Sequence, residues 1–379
     1  MDAIALTKQL VDIPSFVHTG YNESRLTTFV TTWIKRHLPH VSIRSFVTAP
    51  CRSNLLILPH KRMEVLLTAH MDTVLPAGHW RSSHIARGRL YGTGSVDMKS
   101  AMAAMLIALK EAGRDGRAGM LLYVDEEYAF AGIKTILRKL QSIPKPSLIL
   151  AGEPTDGKIS NGCRGIATIE IEIRGCTAHS ARPQNGRNTA DAFFLVKNTI
   201  DQLASSVRHP NMGATLANVY HAELGLAHID GACTTIAASD NRVPDILRLG
   251  ASFRITDSHV RLIDWKVTLQ KILRARGFRL SGYHIGHAYM PMYTETHHLK
   301  KFIPLLKSND RHDPFVDLRT VGYYDIQMLA EAWKVPAISI GCGPRATAHS
   351  PNEYVRCSDV LSMVKLYTSV VLTGKRVLD

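Results

Sequence analysis

Cysteine is scarce: the 379 residues hold six, Cys51, Cys163, Cys176, Cys233, Cys342 and Cys357. Their spacing matches neither a metal knuckle nor a disulfide framework, and a chain of this length folds without cross-links. They read as reduced thiols of a cytoplasmic protein. Long apolar runs are missing too. No stretch approaches the roughly 20 residues that cross a bilayer. The opening MDAIALTKQLVDIPSF, with its early acid and no long apolar core, is not expected to be a signal peptide. Runs of Lys and Arg are also absent, although the net charge is +14 and the pI about 9.6. The basic residues are dispersed and no basic strand is interleaved with aromatics, so nucleic-acid binding is not expected as the main function. A solvated basic surface, an anionic substrate and an acidic carrier protein remain open as reasons for the charge.

What the sequence does contain is a well-apolar composition, 45%, over a length that exceeds one core, which points to two domains. A helix is expected from about Asn22, with Leu26, Phe29, Val30, Trp33 and Leu38 recurring at three- and four-residue steps. Strands are expected at 54–58, 64–69, 119–124 and 147–151. Those at 64–69 and 119–124 are continuously apolar, as strands covered by helices on both faces are. The fold class is therefore α/β, with a mostly parallel sheet flanked by helices.

Residues suited to chemistry collect where these strands end. LLTAHMDTV places His70 and Asp72 two positions apart, on one face of an extended chain. That spacing suits a metal-binding imidazole whose second ring nitrogen is held by a carboxylate, although by itself it more often marks a hydrogen-bonded structural His–Asp pair. The loop YGTGSVDMKS sets Asp97 ahead of a helix carrying Met102, Met105, Leu106 and Leu109 on one stripe. Asp97 can cap that helix or bind a metal. YVDEEYA crowds Asp125, Glu126 and Glu127 at another strand end, either as a solvated loop or as carboxylates that need a cation. SLILAGEPT then delivers Glu153 to the same edge, where open α/β sheets collect ligands.

After Gly165 the texture changes. Residues 168–175 alternate, Ile169, Ile171 and Ile173 against Glu170, Glu172 and Arg174, as a strand with one wet face does. A helix with Phe193, Ile200 and Leu203 inward follows. A second alternating strand, ILRLGASFRIT, includes Arg254, and a helix with Ile263, Val267 and Ile272 inward ends at Gly277. This predicts an inserted α+β domain over 165–285, between the two parts, 1–164 and 286–379, of the α/β domain whose strand ends carry the candidate residues. The last part returns to α/β texture, with a helix around Asp325 to Trp333, a buried strand at 336–340, a loop holding His349, and a closing helix from Ser358.

His70-x-Asp72, the GTGSVDMK loop with Asp97, Glu126–Glu127, Glu153 in AGEPT, AHS with His179 and AHSPNEY with His349 occur in the order of the dinuclear zinc aminoacylase and carboxypeptidase family. The chain resembles that family over nearly its whole length; the family includes acetylornithine deacetylase, succinyl-diaminopimelate desuccinylase, acetyl-lysine deacetylase and glutamate carboxypeptidase. The resemblance implies two zinc ions, with cobalt or manganese as possible substitutes. Asp97 would bridge them, His70 and Glu153 would complete one site, and Glu127 and His349 the other. It implies Glu126 as general base beside Asp72, and His179 reaching across a homodimer to the developing oxyanion. Arg254 and Asn241 would grip the substrate carboxylate, with Gly341 and Gly343 in a loop beside it; Arg254 fits a solvent-facing strand position as well. The family commonly has Arg at the Thr93 position, Gly at Ser100, and Thr-Ser-Asp where this chain has Tyr323-Tyr324-Asp325. The expected activity is hydrolysis of an N-acyl amino acid, with a carboxypeptidase or dipeptidase as the alternative.

Overall fold

A computed structural model describes residues 2–18, 20–76, 80–230, 233–309 and 313–378. The chain divides into two units: Met1–Gly162 with Tyr293–Leu318 and Tyr324–Asp379, and Cys163–Met292 with Arg319–Tyr323. The second unit thus begins at 163 and runs to 292, where the sequence pattern placed 165 and 285, and it also takes in a short later segment.

The first unit is built on a six-stranded sheet of β1 (Ser42–Ala49), β2 (Arg52–Leu58), β3 (Val65–His70), β4 (Ala118–Tyr123), β5 (Leu148–Ala151) and β6 (Ala337–Ser339), in the order β1-β2-β4-β3-β5-β6. The four strands from β4 to β6 run parallel, while β1 and β2 form an antiparallel edge. Every residue of β3 and of β4 is buried. On one face Leu67, Met120 and Leu150 join a core with helices α1 (Ala3–Val11), α2 (Ser24–His37), α3 (Ser100–Ala112) and α5 (Cys357–Thr373). Against the sheet also pack α4 (Ile326–Trp333) and the helix Ala131–Leu137. In a parallel sheet the carboxyl ends of neighbouring strands lie on one edge, and β3, β4 and β5 all lead there into residues with titratable side chains.

Helix α2 starts at Ser24, two residues beyond the expected cap. Asn22 Oδ1 accepts the Ser24 N–H at 2.9 Å, and the Glu23 side chain turns away to Arg52. Helix α3 has no apolar stripe, because almost its whole surface is buried. A helix apolar all round belongs in a core, and this one lies beneath the segment that holds Asp97.

The second unit has a five-stranded antiparallel sheet in the order Cys233–Ala237, Leu216–Asp230, Ile246–Ile255, Gly165–Arg174, Arg279–Tyr289. Ile169, Ile171 and Ile173 face a core with Leu247, Leu249, Val196 and Leu269. Three of these strands are absent from the sequence expectation. Leu216–Asp230 has a register shift at Val219/His221 and Arg279–Tyr289 has two, and each shift breaks the period of two that marks a strand. The helix Leu262–Ala275 is also phased differently from its expectation. Leu262, Trp265, Leu269 and Leu273 are buried, while Ile263 and Val267 are exposed, because Trp265 seats edge-on against Phe253. None of the described helices is long and apolar enough to cross a membrane.

Candidate metal centre

His70 closes β3 with its imidazole fully buried, and its two ring nitrogens have different partners. Nδ1 lies 3.0 Å from the Asp72 backbone carbonyl oxygen and 3.7 Å from its carboxylate. The carbonyl, not the carboxylate expected from sequence, therefore orients the ring and leaves Nε2 free to act as a donor atom. Nε2 lies 3.1 Å from Asp97 Oδ1.

Asp97 does not cap a helix. Its backbone is non-helical, α3 begins three residues later at Ser100, and its side chain turns to two imidazoles. Oδ1 meets His70, and Oδ2 lies 3.3 Å from His349 Nε2. The turn holding Asp97 is fixed by Glu353, whose buried carboxylate accepts the N–H of Gly94 at 2.9 Å, of Val96 at 2.9 Å and of Asp97 at 3.2 Å. A fixed loop of this kind is how a carboxylate is held where unstrained helix geometry would not place it.

Asp125, Glu126 and Glu127 share a strand end but not a role. Asp125 pairs with Arg52 at 2.8 Å; Arg52 also grips the fully buried Glu23 at 2.6 Å. Asp125 Oδ2 in turn accepts the Ala131 N–H. Glu127 Oε1 lies 2.9 Å from His349 Nε2. The Glu126 carboxylate has no hydrogen-bond partner among the described residues, although its backbone N–H donates to Asp72 at 3.1 Å. Glu153 is buried beyond β5, and its Oε1 has no hydrogen-bond partner among the described residues. His70, Asp97 and Glu127 offer ligand atoms all within 4.8 Å of one another.

Burial sets the protonation of this cluster, and neighbouring charge corrects it. Burial, then the charges of Asp325, Glu153 and Glu127, hold the Glu126 carboxyl well above the usual range, despite His70. Glu153 is raised in the same way, by burial and then by Asp97. Burial pulls His70 down, but the hydrogen bond to Asp97 and three nearby carboxylates override it, so its pKa lies well above the ordinary imidazole value. Hydrogen bonds to Asp97 and Glu127 push His349 up to about 10. Asp97, flanked by both imidazoles, sits below the carboxylate range in spite of its burial.

Gly341 and Gly343 are placed by the chain's own backbone. A Cβ on Gly341 would come within 2.2 Å of the Gly152 carbonyl oxygen, and one on Gly343 within 2.3 Å of Asp156 Oδ1. Their missing side chains let this loop approach the segment bearing Glu153. His179, Asn241 and Arg254 belong to the second unit. His179 is exposed, and its Nδ1 accepts the Ala181 N–H at 3.0 Å. Ser180 donates its backbone N–H to the Asn241 carbonyl oxygen at 3.0 Å, so these two loops are joined. Arg254 is an exposed residue of its strand, in register with Ile166 and Leu216.

Sequence reasoning missed four residues that shape the centre. Asp325 is fully buried and accepts the Tyr123 hydroxyl at 2.8 Å, and its Oδ2 has no hydrogen-bond partner among the described residues. Lys99 is buried with Nζ on the Ile13 carbonyl oxygen at 2.8 Å. Arg52 and Glu353 act through the contacts above. The buried charges were visible only as single letters in apolar or loop text, with no periodicity to mark them.

Residues 66–373 match the model for peptidase family M20/M25/M40. A succinyl-diaminopimelate desuccinylase of Corynebacterium glutamicum is 33% identical over 67% of this chain and 66% of its own length. The fold is similar to that of an M20 family metallo-carboxypeptidase from Sulfolobus solfataricus, with a TM-score of 0.73, 17% identity and coverage of 99% of both chains. It is similar also to a dinuclear metal-binding M20 peptidase from Bacillus subtilis, at a TM-score of 0.72 and 13% identity over 99% of this chain and 97% of that one. With the family model spanning both units, the chain belongs to peptidase family M20/M25/M40, a family of metallohydrolases.

Proposed function

We propose that this protein hydrolyses the amide bond of an N-acyl amino acid, releasing a carboxylate and a free amine, at a centre that holds two zinc ions. The observation that carries this reading is the Asp97 carboxylate, with one oxygen on His70 Nε2 and the other on His349 Nε2. A carboxylate turned to two imidazoles in this way is arranged as a shared ligand. His70 and Glu153 would hold one ion, and Glu127 and His349 the other. The donors fit the group: nitrogen and oxygen ligands suit zinc, with cobalt or manganese as substitutes. The orphaned Glu153 Oε1 and the crowding of buried carboxylates are both relieved by a cation. When bound, the metals supply Lewis acidity and lower the pKa of a water.

The protein's own residues do the rest. Glu126 has a carboxylate committed to no other group, in a buried setting that raises its proton affinity. It takes a proton from the attacking water and returns it to the leaving amine. Asp72 positions that base through the Glu126 N–H, and orients His70 through its carbonyl. In the second unit His179 would donate to the oxyanion, supplied across a homodimer, and Arg254 with Asn241 would hold the substrate carboxylate, for which a guanidinium fork is well shaped. A cytoplasmic setting accords with the free thiols of Cys51, Cys163, Cys176, Cys342 and Cys357.

A second reading, carboxypeptidase or dipeptidase, uses the same centre on a peptide bond; the likeness to the Sulfolobus metallo-carboxypeptidase favours keeping it. The test is amine release from N-acetyl and N-succinyl ornithine, lysine, diaminopimelate and methionine and from dipeptides, with zinc and with a chelator. Chelator-sensitive release from an acyl amino acid supports the first reading, and release from dipeptides alone supports the second. Turnover that falls steeply with salt would point instead to a substrate on an acidic carrier protein.

A further inference from the structure

We infer that a cleft beside the centre is a subsite for an additional carboxylate of the substrate, read by Arg81; this rests on the hydrolase reading above. The cleft has a volume of about 540 Å³ and lies wholly in the first unit. Its walls continue the loops of the centre: residues 91–93 lead to Asp97, and 350–353 follow His349. Glu353 lines it, and the carboxylate of Glu353 reaches the Asp97 backbone N at 3.2 Å, so cleft and centre share a wall.

The lining is one-sided in charge. Arg81 is exposed and, among the described residues, has no hydrogen-bond or ion-pair partner. His84 stacks on Tyr91 with centroids 4.9 Å apart, which lays the imidazole along the wall. Thr93 and Asn352 add further donors whose side chains are not engaged by any described residue. Against these stands a single carboxylate, Glu353, and its oxygens are occupied by three backbone N–H groups. A cleft that offers an unspent guanidinium and neutral donors, with no uncommitted acceptor carboxylate, selects an anion. The planar fork of Arg81 matches a carboxylate by geometry as well as by charge. That carboxylate is one beyond the α-carboxylate. It is carried either by the acyl group, as in an N-succinyl amide, or by the amino-acid side chain, as in an N-acetylglutamate.

The test is steady-state kinetics of the zinc-loaded full chain and of its Arg81→Met and Arg81→Lys variants on N-acetylalanine, N-succinylalanine and N-acetylglutamate. Arg81→Met is expected to lower kcat/KM for one of the two dicarboxylates relative to N-acetylalanine by roughly 10- to 100-fold, as loss of a charge-assisted pair does, and mainly through KM. Arg81→Lys should recover part of it. The dicarboxylate that suffers identifies where the anion sits. Equal effects on all three substrates, or none, would overturn the subsite. Calorimetric titration of succinate and propionate into both proteins separates the two claims: a preference for succinate that Arg81→Met removes, without hydrolysis of any substrate, keeps the subsite and sinks the hydrolase reading. Hydrolysis of N-acetylalanine, with kcat/KM for neither dicarboxylate lowered by Arg81→Met relative to it, does the reverse.

Discussion

The Asp72 carboxylate is bonded to the backbone of Glu127: Oδ2 accepts the Glu127 N–H at 3.0 Å, while Oδ1 accepts that of Glu126 at 3.1 Å. One buried side chain at the end of β3 thereby fixes the turn after β4 that carries a proposed metal ligand and the proposed base. Burial raises the Asp72 carboxyl to about 6, and the two N–H groups with His70 limit that rise.

Asp72→Asn replaces one acceptor oxygen by an amide that must face an N–H. The fold should survive, while Glu127 and Glu126 lose their common anchor. Metal affinity is expected to fall roughly 10- to 100-fold, as when an outer partner of a ligand is removed. Titration of the metal-free variant with zinc checks this, and unchanged affinity would show that the anchor is dispensable.

Glu126→Gln removes a base and leaves every proposed ligand in place. Turnover should drop roughly 10²- to 10⁴-fold, with the metal content unchanged by elemental analysis. A variant that comes out metal-free would mean that the roles of Glu126 and Glu127 have been exchanged.

Arg52→Met leaves the carboxylates of Glu23 and Asp125 buried without their cation. Breaking one partner out of such a buried group costs about 3–5 kcal/mol, so urea should unfold the variant at a clearly lower midpoint. Adding Glu23→Gln to it should restore part of the loss. A midpoint equal to that of the parent would show that the three charges are hydrated and contribute little.

How much of this was legible in the sequence depends on whether a residue advertises itself by pattern. Continuous apolar text gave away β3 and β4, and the carboxyl ends of β3, β4 and β5 followed from them with His70, Glu126, Glu127 and Glu153. His349 stood out only as a loop histidine after a strand expected in the first sheet, and its place among the ligands came from family resemblance, since a lone loop histidine has no periodicity. For Asp72 the i, i+2 rule places the carboxylate on the His70 side of the chain, 3.7 Å from its Nδ1, but says nothing of the backbone N–H groups of Glu126 and Glu127 that the folded turn brings to it. Asp325 and Arg52 could not be read at all: their partners Tyr123, Glu23 and Asp125 lie far along the chain, and only the packed sheet joins them. In the second unit, register shifts hid whole strands.

Asp325 should impose a pH dependence on the metal-free protein. Burial raises its pKa from 3.8 to about 7, with Tyr123 and His70 opposing. A folded-state pKa above the unfolded one means that the folded protein holds the proton more tightly. Stability from this group is complete below about pH 4 and is lost as pH rises through about 7. Denaturant midpoints should therefore be lower at pH 8 than at pH 5, and Asp325→Asn, which can still bond Tyr123, should make the difference smaller. Zinc should oppose the trend, stabilising more at pH 8, because its ligands must shed protons to bind it. An unaltered difference in the Asn variant would exclude Asp325 as its source.

The central claim is that Asp97 joins two metal sites, and the most direct measurement is the number of zinc ions bound per chain in the parent protein and in Asp97→Ala. The account predicts two in the parent and, because both sites share that carboxylate, loss of both in the variant. One ion in the parent, or a variant that still holds two, would contradict it.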